Sequence, residues 1–310
     1  MFQTLVSKEN LTYKEWLSYR RTGLGGSDAS IVAGLNPYKS PMELWLEKTG
    51  QIEPEEAGEA AYWGTMLEPL ILDEFQKRTG LEVGQELSIL QHTEYPFMLA
   101  NVDGIAVCME TKKAFIFEAK TANAFKRPEW EISVPDMYQL QVQHYMAVTG
   151  FHGAYVAVLI GGQNFKYYLI ERDQELIDLL IQLERRFWNY VVTKTPPPID
   201  GSESSTLLLS KLYPVGLQTS MSLPKEAEEL IHQFEEASEQ EKQASEKKEL
   251  AANKLKDLLK SNETGIINGR TVTWKTVETE RLDSKKFKTE HPDLYSTLTN
   301  KSTYRRFSIK

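Results

Sequence analysis

Cysteine is almost missing from this chain: Cys108 is the only one in 310 residues. A lone cysteine cannot form an internal disulfide, and with only five scattered histidines it cannot build a thiolate-rich zinc site. Long apolar runs are missing too, since no stretch approaches the roughly 18 apolar residues that a membrane-spanning helix needs. The first sixteen residues turn polar within a few positions and lack the apolar stretch and small-residue cleavage site of a secretory signal. An intracellular, cytoplasmic protein without membrane attachment is therefore expected. Positive charge is scarce: 36 Lys and Arg against 44 Asp and Glu leave a net charge of −8. That deficit argues against a broad basic face, but not against a local positive lining, because net charge does not say where the cations lie.

What is present is an ordinary globular composition, 41% hydrophobic and 26% charged, in a chain long enough for one large domain with an appendage. From residue 11 to about 194, helical and strand patterns alternate without a low-complexity break. Helices are expected over 11–21, 29–33, 40–48, 60–78, 137–149 and 173–193, from apolar spacing, from caps such as Thr12, Ser27 and Ser40, and from stops at Gly34, Gly50, Gly80 and Gly150. Strands are expected over 87–92, 98–107 and 114–120 as an antiparallel meander, with a turn at 110–113, and over 154–160 and 166–170 as a hairpin around Gly161 and Gly162. These patterns divide the chain into a domain over 1–194, a Pro- and Ser-rich linker over 195–223, and an appendage over 224–310. The appendage begins as a Glu- and Lys-rich solvated helix to about residue 260. It continues as a hairpin on Asn268 and Gly269 whose surroundings carry more Lys and Arg than acid.

The chemistry-bearing pattern lies in the strands. Over 115–120 side chains alternate, so Glu118 and Lys120 share a face with Ile116, while Phe115, Phe117 and Ala119 share the other. Asp103 stands on the preceding antiparallel strand, just before Gly104, where it can face Glu118. Carboxylates in otherwise apolar strands are expensive unless paired or bound to a cation. A hard divalent ion needs oxygen ligands and keeps several waters, so Asp103, Glu118 and the backbone carbonyl of Ala119 make a sufficient set. Lys120 could orient or deprotonate an attacking water, or offset charge on a phosphoryl oxygen. Taken alone, Glu118 and Lys120 read rather as an ion pair on an exposed strand.

This order of Asp, hairpin, Glu-x-Lys and a helix carrying Gln141 and Tyr145 resembles the PD-(D/E)XK nuclease superfamily, whose third motif is often Gln-x-x-x-Tyr. Four further segments, WLSYRRTGLGGSDAS from Trp16 to Ser30, NPYKSP from Asn36 to Pro41, WLEKTG from Trp45 to Gly50 and GTMLEP from Gly64 to Pro69, resemble the YqaJ-type viral recombinases, relatives of phage lambda exonuclease. The resemblance covers residues 11 to about 194.

It implies an α/β (α+β) PD-(D/E)XK restriction-endonuclease-like core, a central mixed sheet flanked by helices, extended here by a helical arm and a small C-terminal β element. It implies Asp103, Glu118, Lys120, Gln141 and Glu68 as catalytic, with Asp103, Glu118, the Ala119 carbonyl and Glu68 around magnesium, for which manganese could substitute. Arg20 and Ser27 match the residues that hold a 5′ phosphate, with Arg21 leaving a one-residue ambiguity, and Tyr138 sits beside the site. His144 is read as outside the chemistry, and Tyr145 equally as a packing residue. The implied activity is 5′-to-3′ digestion of linear double-stranded DNA, leaving 3′ tails for recombination. The implied partners are DNA ends, a single-strand annealing recombinase, and further copies of the chain in a homo-oligomer, ring-shaped in relatives. An endonucleolytic or structure-specific nuclease, or a non-catalytic DNA-binding scaffold on the same fold, stands as the alternative.

Overall fold

The computed structural model of the chain describes residues 2–9, 11–54, 58–108, 112–217, 219–300 and 304–309. They form two compact units, Met1–Leu212 and Tyr213–Lys310. The first unit opens with β1 (Phe2–Ser7), a strand that no apolar alternation announces. Helix α1 (Tyr13–Arg21) starts on a capping box in which Thr12 and Glu15 satisfy each other's backbone N–H groups. Helices α2 (Gly26–Val32) and α3 (Pro41–Lys48) follow, the latter capped by Ser40 with Pro41 in its first turn, where a missing N–H costs nothing. The long α4 (Glu59–Thr79) ends at Gly80, whose left-handed φ of 71° suits glycine.

Five strands then build the sheet that carries the site: β2 (Glu82–Gly84), β5 (Gly104–Cys108), β6 (Lys113–Ala122), β7 (Gly153–Ile160) and β8 (Asn164–Glu171), in that spatial order. All neighbours are antiparallel except β6 and β7, which run parallel from Ile116↔Ala154 to Ala122↔Ile160. A parallel pair needs a long crossover. Here it is a 3-10 segment (Ala124–Trp130) followed by α5 (Asp136–Thr149).

The single strand expected over 98–107 is two strands in two sheets. The short β4 (Leu99–Ala100) pairs with β3 (Ser88–His92), which also pairs with β1, while β5 pairs with β6. Residues 101–103 carry the chain from one sheet to the other, so the expected antiparallel meander is corrected to a sheet switch. The turn expected over 110–113 falls partly outside the described residues.

Each sheet face has its own core. On one, Ile116, Val156 and Val158 pack with Val142 and Met146 of α5. On the other, Phe117, Ala106 and Ala157 meet Ile71, Leu72 and Phe75 of α4. Phe75 and Phe117 are fully buried with ring centroids 5.0 Å apart, and burial of each stabilises the fold by about 1.5–3 kcal/mol. Helix α6 (Gln174–Thr193) packs through Phe187 with Leu24, Leu44 and Trp45. Within the stretch expected as linker, Glu203–Leu212 is a helix, α7, and its Leu208 joins that same cluster. Its start is organised by Asp200, which accepts hydrogen bonds from Ser202 and Ser205.

The second unit holds α8 (Glu226–Leu259), nearly all exposed as its composition requires, and a hairpin of β9 (Thr264–Ile267) and β10 (Arg270–Thr273). Asn268 and Gly269 take the two positive φ values, 48° and 75°, that a tight hairpin turn demands. Two short helices, α9 (Ser284–Glu290) and α10 (Pro292–Leu298), complete it.

Candidate active site

The sheet switch places Asp103 beside the middle of β6. Pairing of β5 with β6 starts at Gly104↔Phe117, and one step earlier the Asp103 side chain takes over the role of a ladder partner: its Oδ2 accepts the Ala119 N–H at 2.8 Å. The N–H and C=O of one strand residue leave from the same edge, so the Ala119 carbonyl lies on the Asp103 side as well. Gly104 is required at this approach, since a Cβ there would stand 2.7 Å from Val83 Cγ1 and 3.1 Å from the Gly84 carbonyl oxygen.

Alternation along β6 puts Glu118 and Lys120 on the α5 face. Lys120 Nζ donates to Glu118 Oε1 at 2.6 Å and lies 4.9 Å from the centre of the Tyr138 ring. Tyr138 in turn stacks on the buried Trp130, with centroids 5.4 Å apart. Gln141, on the next turn of α5, donates through Nε2 to the same Glu118 oxygen at 2.6 Å and to the Tyr145 hydroxyl at 3.2 Å. Tyr145 passes the network on to the Asn101 carbonyl at 3.0 Å. Gln141 thus holds the carboxylate.

Electrostatics set this cluster apart. Burial, and next the Asp103 carboxylate, push the Glu118 carboxyl up to about 8, against the pull of Lys120. Burial also raises Asp103, against Lys120 and the Ala119 N–H. Burial pulls the Lys120 ammonium down, but Glu118 and Asp103 outweigh it and the net shift is upward, so Lys120 stays charged. Half-buried Glu68, on α4, is coupled to the group by charge: burial and then Asp103 raise it to about 7, while Lys8 and Lys120 oppose. Lys8, just after β1, faces Asp103, Glu68 and Glu118 electrostatically. Nothing in its polar N-terminal surroundings announces this placement.

Two buried oxygens next to this network, Glu118 Oε2 and Asn101 Oδ1, have no hydrogen-bond partner among the described residues. Among the described residues, no three His, Cys, Asp or Glu side chains converge as a ready metal cluster. The donor set is two carboxylates and a backbone carbonyl, with Glu68 standing off. Such a set suits a hard divalent cation that keeps some of its waters. An orphaned, buried carboxylate oxygen suits the same occupant, because it otherwise costs about 1–3 kcal/mol or more.

A second constellation sits at the junction of α1 and α2. Arg20 Nη2 lies 3.2 Å from both Ser27 Oγ and Asp28 Oδ1, and its guanidinium covers the Trp16 ring at 5.4 Å. Arg21 points elsewhere and pairs with Glu53 at 2.6 Å. Asp28 also accepts Lys48 Nζ at 2.8 Å and the Gly25 N–H at 3.0 Å. Although burial opposes it, Lys48 and Arg20 hold the Asp28 carboxyl well below the usual carboxylate range. This buried Asp28–Lys48 pair was invisible in the sequence, where Asp28 reads as a helix-start residue. The two constellations are tied together by Gly26: a Cβ there would fall 2.5 Å from Tyr145 Cε1 and 2.9 Å from the Gln141 carbonyl oxygen, so α2 packs on α5 through bare backbone.

His144 is fully buried, with Nδ1 2.7 Å from Glu184 Oε1 and Nε2 2.9 Å from the Leu99 carbonyl. It joins α5 to α6 and β4 and makes no hydrogen bond to the cluster.

Comparison with known proteins bears on the family and the fold. Residues 15–152 match the model of the YqaJ-like viral recombinase domain. The uncharacterized protein YqaJ of Bacillus subtilis (strain 168) is 42% identical over 99% of this chain and 97% of its own length, so the likeness runs through the C-terminal unit as well. The fold is shared with an alkaline exonuclease from Laribacter hongkongensis: the TM-score is 0.51 at 20% identity, covering 66% of this chain and 100% of that one. The same enzyme in complex with dAMP gives a TM-score of 0.51 at 21% identity, with the same coverage.

Proposed function

Because this chain belongs to the YqaJ-like viral recombinase family, we propose that it is a divalent-metal-dependent deoxyribonuclease that digests linear double-stranded DNA from its 5′ ends and leaves 3′ single-stranded tails. The observation that carries this reading is the pair of carboxylates, buried Glu118 and partly buried Asp103, each raised by burial, with Glu118 Oε2 unsatisfied among the described residues and an ammonium at hydrogen-bond distance on the same strand face. An isolated structural ion pair does not need a second carboxylate beside it.

Asp103, Glu118 and the Ala119 carbonyl would hold the ion, magnesium in the first instance, with Glu68 as a further carboxylate nearby. Once bound, such an ion polarises the scissile phosphoryl group and lowers the pKa of a coordinated water. Lys120, kept charged by its neighbours, offsets the negative charge that develops on the phosphoryl oxygens and orients the attacking water. Gln141 fixes the rotamer of Glu118, and Tyr138 supports Lys120 from below. Arg20 and Ser27 bind the terminal 5′ phosphate, a guanidinium and a hydroxyl meeting a doubly charged group. That second site gives polarity to a metal centre that has none of its own. The tails so produced are the substrate of a single-strand annealing protein, which we take as the partner class, and a ring of several copies would keep the enzyme on its DNA.

The test is a timed digestion of end-labelled linear duplex with Mg²⁺, with and without the 5′ phosphate, beside a closed circular control. Loss of label from phosphorylated linear DNA ahead of the other two is the expected result. Equal cutting of circular DNA would transfer the reading to an endonuclease, and indifference to chelation would remove the metal site.

A further inference from the structure

The segment NPYKSP has no role in the chemistry above, yet its geometry is specific. Asn36 donates through Nδ2 to Ser30 Oγ at 3.1 Å, and its Oδ1 accepts the N–H groups of Tyr38 and Lys39 at 2.9 and 3.1 Å. This side-chain-made turn fixes the backbone on both sides of Tyr38. Lys39 is drawn to Glu47 at 2.6 Å. Tyr38 is left 69% exposed, an aromatic ring on a rigid turn with no ring partner of its own among the described contacts.

That ring is not on an idle surface. It lines a cavity of about 350 Å³ whose other walls include Arg20, Ser27, Trp16 and Lys48. The volume lies in the range of small-ligand sites. Arg20 and Ser27 account for the phosphate, and the remaining space has an aromatic rim. Tyr38 is also an electrostatic neighbour of Tyr138, the residue that supports Lys120.

We propose that Tyr38 stacks on the base of the 5′-terminal nucleotide whose phosphate Arg20 and Ser27 hold, so that the cavity takes a whole nucleotide rather than a phosphate alone. This rests on the 5′-end reading of the site given above. Stacking of a base on an aromatic ring is tolerant of sequence, because every base offers a π face. The hydroxyl contributes little to it, so phenylalanine should serve as well as tyrosine.

The test is binding, measured without cleavage. The full chain is titrated in EDTA against 5′-phosphorylated duplex with either an ordinary or an abasic 5′-terminal nucleotide, for the parent, Tyr38→Ala and Tyr38→Phe. Base stacking predicts that Tyr38→Ala and the abasic end each weaken binding by at least about fivefold, that the two losses do not add, and that Tyr38→Phe binds like the parent. Additive losses, or an abasic end bound as tightly as an ordinary one by the parent, overturn the proposal. A thermal melt of each variant separates a binding loss from misfolding, to which a ring this exposed contributes little. Because the readout needs no turnover, a protein that binds ends as described but never cuts DNA would sink the nuclease reading and leave this one standing.

Discussion

Replacing Asp28 by asparagine changes one charge and almost no volume, and it should be among the most damaging conservative substitutions in the chain. Asp28 and Lys48 side chains are each only 5% exposed, and Arg20 leans on the same carboxylate. With the carboxylate gone, Lys48 is a buried cation that has lost its contacting counter-charge and keeps only the weaker pull of Glu47. It can stay charged in an apolar setting, or lose its proton at about 1.4 kcal/mol per pH unit below an unfolded pKa of about 10.4, roughly 4.6 kcal/mol at pH 7. The loss from breaking a buried pair on one side, about 3–5 kcal/mol, is the same size. For a unit of this length that is a fall in melting temperature of roughly 6–20 °C. The pH dependence has a definite sign. In the variant the folded-state pKa of Lys48 lies below its unfolded value, the unfolded chain binds more protons, and stability rises with pH. The deficit against the parent should therefore shrink between pH 7 and pH 10. Urea unfolding at the two pH values measures it. The double variant Asp28→Asn with Lys48→Met should recover part of the loss, because the stranded charge is gone. An Asp28→Asn chain within about 0.5 kcal/mol of the parent, or a deficit that does not shrink at high pH, refutes the argument.

Other expectations can be checked in parallel. Gly26→Ala should cost about 1–3 kcal/mol by overpacking and lower DNA cleavage too, since its Cβ collides with the helix that carries Gln141; melting and digestion assays read both. Lys120→Met should reduce kcat about 10²–10³-fold while leaving end binding in EDTA intact. Added Mg²⁺ at about 100 times its dissociation constant should stabilise the parent by roughly 2.7 kcal/mol and leave Asp103→Asn unmoved, as seen by melting temperature. For His144, burial lowers the pKa but the Glu184 carboxylate overrides it and the net shift is upward. Its contribution is thus complete below an unfolded pKa of about 6.5 and is lost as pH rises through the higher folded value. Glu184→Gln should therefore be most destabilising near pH 6, and its penalty should diminish toward pH 9 in chemical denaturation.

What the sequence made readable was local. Alternation over 115–120 assigns Ile116, Glu118 and Lys120 to one face from parity alone, and the 3.6-residue spacing puts Tyr138, Gln141 and Tyr145 together on one side of α5. Caps at Thr12 and Ser40 and a stop at Gly80 gave helix ends from one or two residues each. What stayed hidden depends on partners distant in the chain. Asp28 looks like any acidic residue at a helix start until Lys48 is brought to it. The strand expected over 98–107 breaks because β3 and β6, at different distances in sequence, each claim half of it. Helix α7 was masked by the prolines and serines before it, whose linker-like composition outweighed the leucines at 207–209. The strand β1 has no pattern of its own, since it borrows its order from β3.

The parallel seating of β6 against β7 also bears on when the cluster is completed as the chain is made. During synthesis, Asp103, Glu118 and Lys120 leave the ribosome well before Gly153–Ile160, and until those residues arrive β6 lacks its neighbour on one side. A chain abandoned mid-translation, ending between residues 122 and 153, would carry Asp103, Glu118 and Lys120 with the flank of β6 open and without the apolar floor that β7 supplies beneath α5. Strand order thus postpones a sheltered cluster until β7 is in place.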